Sequence, residues 1–351
     1  MAVRIGIGLF TGQVPIGSRT TFGREYRETV ELVRLAESLG FDSVWVSEHH
    51  GASDGYLPSL MPMLAALAAA TERIALGSGV VLAPLHDPLR LAEDAAVVDQ
   101  LSGGRLILGL GIGWRQEEFR MFGVPIAERG RRTEETIAIL RRAWSGARFS
   151  FEGRAFRYDR VRVTPPPAQD GGPPILLGGY ADAAILRAGR VADGYITDDA
   201  GVREVHGYLA LLERGARDAG RDPAPLRLAL IRYVAIDDAT GTARRGIHHR
   251  FGAYAAWDLG HDTPEHDSLE PPTPSDEELA MVAAGTPAHV TRALLRTVEA
   301  FGDRSLDLIV CPAHPGMSLE EASRAVETFA RDVVPVLRGD PPRSPGGPAP
   351  A

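Results

Sequence analysis

Apolar residues in this chain come in short runs of strand length, and the stretches between them carry apolar positions three and four residues apart. The run from Val3 to Phe10 predicts a first buried strand. From Gly23 to Leu39 the spacing of Tyr26, Val30, Val33 and Ala36 predicts a helix, which Gly40 is placed to stop. The alternation then repeats. Strands are predicted at Phe41 to Val46, Arg73 to Leu82, Arg105 to Gly113, Ile175 to Gly179, Asp193 to Thr197, Leu226 to Ile236 and Leu306 to Cys311. Helices are predicted at Ser59 to Ala70, His86 to Gln100, Arg129 to Trp144, Ala181 to Arg190, Val202 to Ala219 and Leu319 to Val333, with Asp87 and Pro88 opening the second of these.

Eight strands alternating with helices predict one α/β domain, a single (β/α)8 TIM barrel over residues 1–338. A doubly wound open sheet has no ready use for eight evenly distributed units. Two excursions interrupt the repeat. Phe149 to Phe156 predicts a small hairpin, and the longest insertion, 240–285, falls between strands seven and eight and mixes aromatics with acids and prolines. At the active face such an insertion is expected to be a lid, a surface loop or a dimer contact. The Pro/Gly-rich tail 339–351 is expected to be disordered.

Composition narrows the function classes. The chain has 351 residues, 44% hydrophobic and 24% charged, enough for a large core. Its net charge of -8 argues against nucleic acid or an anionic membrane as the main partner, since both want clustered positive charge. Every basic residue is Arg, so Schiff-base chemistry through lysine is excluded. Cys311 is the only cysteine, which rules out an internal disulfide and a Cys-based zinc site, and no metal site is predicted. Met1 to Phe10 does not fit a secretory signal and no run has spanning length, so a cytoplasmic protein is expected.

Candidate chemistry concentrates at strand ends. The second strand runs directly into Ser47, Glu48, His49 and His50, and the carboxyl ends of parallel strands are where sites form in such folds. His49 is the candidate acid or base, because an imidazole titrates near neutrality, and Glu48 is a candidate to orient an imidazole. Gly77 and Gly79 inside the third strand suggest a bulge or a close approach to a ligand. Gly109, Gly111 and Gly113 do not have the spacing of the dinucleotide fingerprint. Phe10, Tyr56, Trp114, Tyr254 and Trp257, with His50, are candidate walls of a substrate pocket.

The run Asp87-Pro-Leu-Arg-Leu-Ala-Glu-Asp-Ala-Ala-Val-Val-Asp-Gln-Leu-Ser-Gly-Gly-Arg105, with Glu118-Phe-Arg-Met-Phe-Gly123, resembles the bacterial-luciferase-like flavin-dependent monooxygenases. Ser47 to His50, Ile74 to Val80, Leu176 to Gly179 and Ala192 to Gly194 agree with it. The resemblance implies His49 beside the reactive flavin edge. It implies a non-proline cis peptide at Gly79 and Val80 behind the ring, with Gly111 and Trp114 also at the cofactor. It implies a phosphate held at Gly178, Gly179, Tyr180 and Ala181, where a helix starts. The expected reaction is oxygenation of a small organic substrate by reduced FMN and molecular oxygen through a C4a-hydroperoxyflavin, with a flavin reductase as FMNH2 source and a homodimer as the assembly. Gly111 and Ile112 stand where bacterial luciferase has a reactive cysteine and an arginine, so light emission is not expected.

The alternative enzyme is a hydride-transfer oxidoreductase using the deazaflavin coenzyme F420, to which the Gly-Trp-x-x-x-Glu-Phe pattern of Gly113 to Phe119 is also similar. Against it, Trp114 stands where its sugar-phosphate dehydrogenases have a Glu. A basic track for the coenzyme tail would have to come from Arg115, Arg129, Arg131 and Arg132. A third reading is a non-catalytic flavin-binding partner subunit.

Overall fold

A computed structural model describes residues 3–15, 17–198, 202–258, 282–302 and 304–339. Strands β1 (Val3–Phe10), β2 (Ser43–Val46), β3 (Ala75–Ser78) with the short β4 (Val81–Leu82), β5 (Leu106–Gly111), β8 (Ile175–Gly178), β9 (Gly194–Thr197), β10 (Arg227–Ile236) and β12 (Leu306–Cys311) run parallel in neighbouring order. β10 pairs with β9 on one side, Ala229 opposite Ile196, and with β12 on the other, Ile231 opposite Ile309. That double pairing closes the barrel, and the expected (β/α)8 fold is present with its eight strands. The antiparallel β6 (Phe149–Glu152) and β7 (Arg157–Val161) form the expected hairpin outside it.

Helices α1 (Phe22–Ser38), α2 (Leu60–Ala70), α3 (Pro88–Ser102), α5 (Arg129–Ala143), α6 (Asp182–Val191), α7 (Val202–Asp218), α9 (Pro287–Ala300) and α10 (Leu319–Asp332) alternate with the strands, and α4 (Gln116–Met121) is a short addition after β5. Two layers of core result. The outer one joins strands to helices through residues such as Ile5, Val33, Leu64, Leu108 and Phe329, all fully buried. The inner one fills the barrel with Leu9, Trp45, Ile107, Leu176, Ile196 and Ile309. Strand alternation makes both, since neighbours along a buried strand point to opposite faces. The crossing of α6 and α7 is so close that a Cβ on Gly189 would lie 2.0 Å from the Leu212 carbonyl oxygen, so glycine is required there.

Part of the insertion is regular structure. After β10 the chain forms α8 (Thr242–Asp258), and β11 (Val282–Gly285) pairs with the end of β10, Val282 opposite Tyr233. Ala243, Ile247 and Phe251 of α8 join the inner core, so this helix lies across the carboxyl mouth of the barrel. Residues 259–281 of the expected lid, and 340–351 of the expected tail, lie outside the described residues. The predicted third strand is also divided. It breaks between β3 and β4 at a cis Gly79–Val80 peptide, where the resemblance places one, and a second non-proline cis peptide joins Gly8 to Leu9. A side chain at Gly109 would meet the Ser78 carbonyl oxygen at 2.0 Å, so the neighbouring strand makes room for the bulge.

Candidate active site

β2 ends at Val46, and the next four residues turn over the barrel mouth with buried side chains. The His49 ring is held by α4, whose Glu118 is fully buried. Glu118 Oε1 lies 2.9 Å from His49 Nδ1 and also accepts the His50 backbone N–H at 2.8 Å. A carboxylate only accepts, so the proton sits on Nδ1 and the Nε2 lone pair is left for a substrate. Four aromatic rings surround this imidazole. Tyr56, Trp257, Tyr254 and Trp114 have centroids 4.8, 5.0, 5.9 and 6.2 Å from it. Tyr56 donates to Ser47 Oγ at 3.0 Å and shares a 3.0 Å contact with the Tyr254 hydroxyl. The expected wall residues Tyr56, Trp114, Tyr254 and Trp257 are thus brought together around His49.

Others of the expected set lie apart. Phe10 belongs to the outer core and lines a cavity at the end of β1, next to Arg250 and Gln13, rather than the chamber around His49. His50 faces away from His49, against Phe122 at 4.6 Å. Glu48, expected to orient an imidazole, orients two, neither of them His49: its Oε1 accepts from His50 Nε2 at 3.0 Å and from His86 Nε2 at 2.9 Å. Burial opposes ionisation of Glu48, but hydrogen bonds and charge from His50 and His86 hold its carboxyl down at about 2. Burial likewise works against a charged His86, and the Glu48 hydrogen bond and charge override it, raising that imidazole above its ordinary range. These three are the one group among the described residues whose atoms gather closely enough for a metal ion; both hydrogen bonds fall on Glu48 Oε1, and the buried Oε2 has no partner.

Glu118 was not singled out from the sequence, where Glu117-Glu118 looks like surface charge, although the Gly113 to Phe119 pattern contains it. Arg115 is buried too. Its Nη1 donates to the His50 carbonyl at 2.6 Å and its guanidinium lies 4.3 Å from the Trp257 centroid. Arg132 donates to the Pro84 carbonyl and covers Phe156 at 4.5 Å.

On the far side of the mouth, β8 ends at Gly178, followed by Gly179, Tyr180 and Ala181 at the start of α6. No side chain caps this helix, so its first amides are open to a ligand oxygen, with Asp182 as an opposing charge in the first turn. Tyr180 is exposed and donates to Asp198 Oδ1 at 2.7 Å. Gly111 is packed against Val80, whose Cγ2 would lie 2.4 Å from an added Cβ, so it supports the bulge.

A family model described as luciferase-like monooxygenase matches residues 3–304. The chain belongs to this family. Within it, the F420-dependent glucose-6-phosphate dehydrogenase of Nakamurella multipartita is 29% identical over 331 residues, covering 89% of this chain and 92% of that protein. The F420-dependent hydroxymycolic acid dehydrogenase of Mycobacterium tuberculosis is 30% identical, covering 88% and 84%. Among solved structures, the monooxygenase RslO1 of Streptomyces bottropensis superposes with a TM-score of 0.79 at 28% identity, over 96% of this chain and 99% of that one. As a luciferase-like chain with named dehydrogenase relatives, the protein is an oxidoreductase enzyme.

Proposed function

We propose that this luciferase-like protein is an F420-dependent oxidoreductase that transfers a hydride between the coenzyme and the carbon of an alcohol or carbonyl substrate. This reverses the order expected from the sequence, which put FMN-dependent oxygenation first. The observation that carries it is the His49–Glu118 pair inside an aromatic chamber. Relatives aligned over most of both chains are F420-dependent dehydrogenases, and that supports the choice of coenzyme.

The residues present fit a flavin-type ring and its phosphate. The Gly79–Val80 bulge and the rings around His49 supply apolar surface at the mouth for such a ring, and the uncapped start of α6 supplies amides for a phosphate. When bound, the deazaflavin supplies a ring carbon that accepts or gives a hydride. The protein supplies the rest. Nε2 of His49 takes the hydroxyl proton as the carbon is oxidised and returns it in the reverse direction. Glu118 fixes the ring and favours the imidazolium that results. Trp114, Tyr254 and Trp257 exclude water from the reacting carbon.

Fluorescence titration with F420, and in parallel binding of reduced FMN with oxygen uptake, tests the reading. Tight F420 binding and alcohol-dependent reduction of F420 without oxygen uptake are expected. Oxygen uptake with reduced FMN and an oxygenated product would replace it by the monooxygenase reading, which the likeness to RslO1 favours.

A further inference from the structure

One turn before Tyr254 on the mouth-facing side of α8 is Arg250, 1% exposed. Its Nη2 donates to the Leu9 carbonyl at 3.2 Å and its guanidinium lies 5.3 Å from the Tyr233 centroid, while Nε and Nη1 have no partner. A buried guanidinium with unused donors is costly unless something completes it. Arg250 lines a cavity of about 40 Å³ between the end of β1, α1 and the loop after β12, together with Gln13 and His314.

Both of these neighbours also have an unused atom, and in each the chemistry of that atom is fixed. Gln13 Nε2 donates to Asp54 Oδ2 at 2.6 Å, so the bare Oε1 is an acceptor. Asp54 is itself held by His249 Nε2 at 2.8 Å, from the residue beside Arg250. His314 Nε2 donates to the Val234 carbonyl at 2.9 Å, so its bare Nδ1 is an acceptor as well. Burial, with the charge of Arg250, pushes the His314 ring down to about 3 and keeps it neutral.

Unused donors of Arg250 and unused acceptors of Gln13 and His314 thus belong to residues that line one cavity. A carboxylate or phosphate would use the donors and face two lone pairs, with Glu25 and Glu28 on the same wall adding repulsion. A ketone would use the donors alone. A hydroxyl group accepts from Arg250 and donates to Gln13 or His314, and satisfies both kinds. We propose that Arg250, Gln13 and His314 form a subsite that anchors a hydroxyl of a neutral, polyhydroxylated substrate, away from the carbon that reacts at His49. The subsite rests on the hydride-transfer reading for its place in the reaction, and it makes the preferred substrate an uncharged polyol or sugar.

The test uses D-mannitol, 2-propanol and D-gluconate as probes of the full chain. Mannitol binding to the coenzyme-free protein is measured by saturation-transfer NMR, and kcat/KM for mannitol and 2-propanol with F420. Arg250→Met and, as a milder change, Gln13→Leu are compared with the unaltered protein after thermal melts show which variants are folded. Mannitol binding is expected in the unaltered protein and its loss in both variants. The ratio of kcat/KM for mannitol to that for 2-propanol is expected to fall at least tenfold. F420 binding without mannitol binding, or an unchanged ratio in a folded variant, would overturn the subsite and leave solvent as its occupant. Tighter binding of gluconate than of mannitol would overturn it in favour of an anion site. Failure of F420 to bind, with mannitol binding still lost in the variants, would sink the coenzyme reading and leave the subsite standing.

Discussion

At the scale of single residues, the proposed chemistry rests on the distinction between His49 and His50. The two are adjacent, yet Glu118 holds one and Glu48 the other, and only His49 has the aromatic chamber in front of it. Replacing His49 by Gln is expected to lower kcat by about 10²–10⁴-fold while F420 still binds, as checked by steady-state kinetics beside a fluorescence titration. Glu118→Gln leaves a hydrogen-bonding group but removes the charge that favours the imidazolium. It is expected to lower kcat by roughly 10–100-fold, a size typical of groups acting through another residue. If Glu118→Gln left both kcat and its pH profile unchanged, the pair would be only a packing contact. His49 is legible in the sequence because a strand runs straight into it. Glu118 escaped, since an acidic pair near a helix start is usually solvated and nothing local marks one of the two as buried.

At the scale of elements, the Glu48, His50 and His86 contacts tie the end of β2 to the segment before α3, and their strength depends on pH. Glu48 has its folded value lowered from 4.5 to about 2, so its contribution is present above pH 4.5 and is lost as pH falls towards 2. His86 has its folded value raised above 6.5, so its contribution is complete below pH 6.5 and is lost as pH rises through the raised value. The stability difference between the protein and Glu48→Gln should therefore peak between pH 4.5 and 6.5, at about 3 kcal/mol, and shrink on either side. Urea denaturation across that range checks it, and a flat difference would mean that the triad carries no ionic coupling. His314, also buried, affects both proteins alike and cancels in the difference. The α6 and α7 crossing gives a second check. Gly189→Ala has no room before the Leu212 carbonyl and is expected to cost about 1–3 kcal/mol, read as a lowered denaturation midpoint. The barrel strands were legible in the sequence because each is a short apolar run bounded by turns. Helix α8 was less so, although Ala243, Ile247, Phe251, Tyr254 and Trp257 recur at helical spacing, because the arginines and histidines from Arg244 to Arg250 and the acid- and proline-rich stretch after it mask the stripe. The bulge after β3 was foreshadowed by Gly77 and Gly79. The one at Gly8 was not, since glycines in a first strand have many other uses.

At the scale of the whole molecule, the β1–β12 pairing brings the start and end of the barrel together, so its carboxyl face is built from segments far apart in sequence. A ligand seated across that face should stabilise all of them at once. With F420 at about 100 times its dissociation constant, stability should rise by about 2.7 kcal/mol, seen as an upward shift in the melting temperature that His49→Gln retains. No shift at any concentration would count against the coenzyme reading. The position of α8 has a further consequence for how such a protein can change. His49 and Glu118 belong to the first half of the chain, whereas Arg250, Tyr254 and Trp257 ride on one helix inserted between β10 and β12. Exchanging the single stretch between β10 and β11 would therefore replace Arg250, Tyr254 and Trp257 together while leaving His49, Glu118, Gln13 and His314 in place, so one arm of the proposed subsite can be inherited apart from the rest.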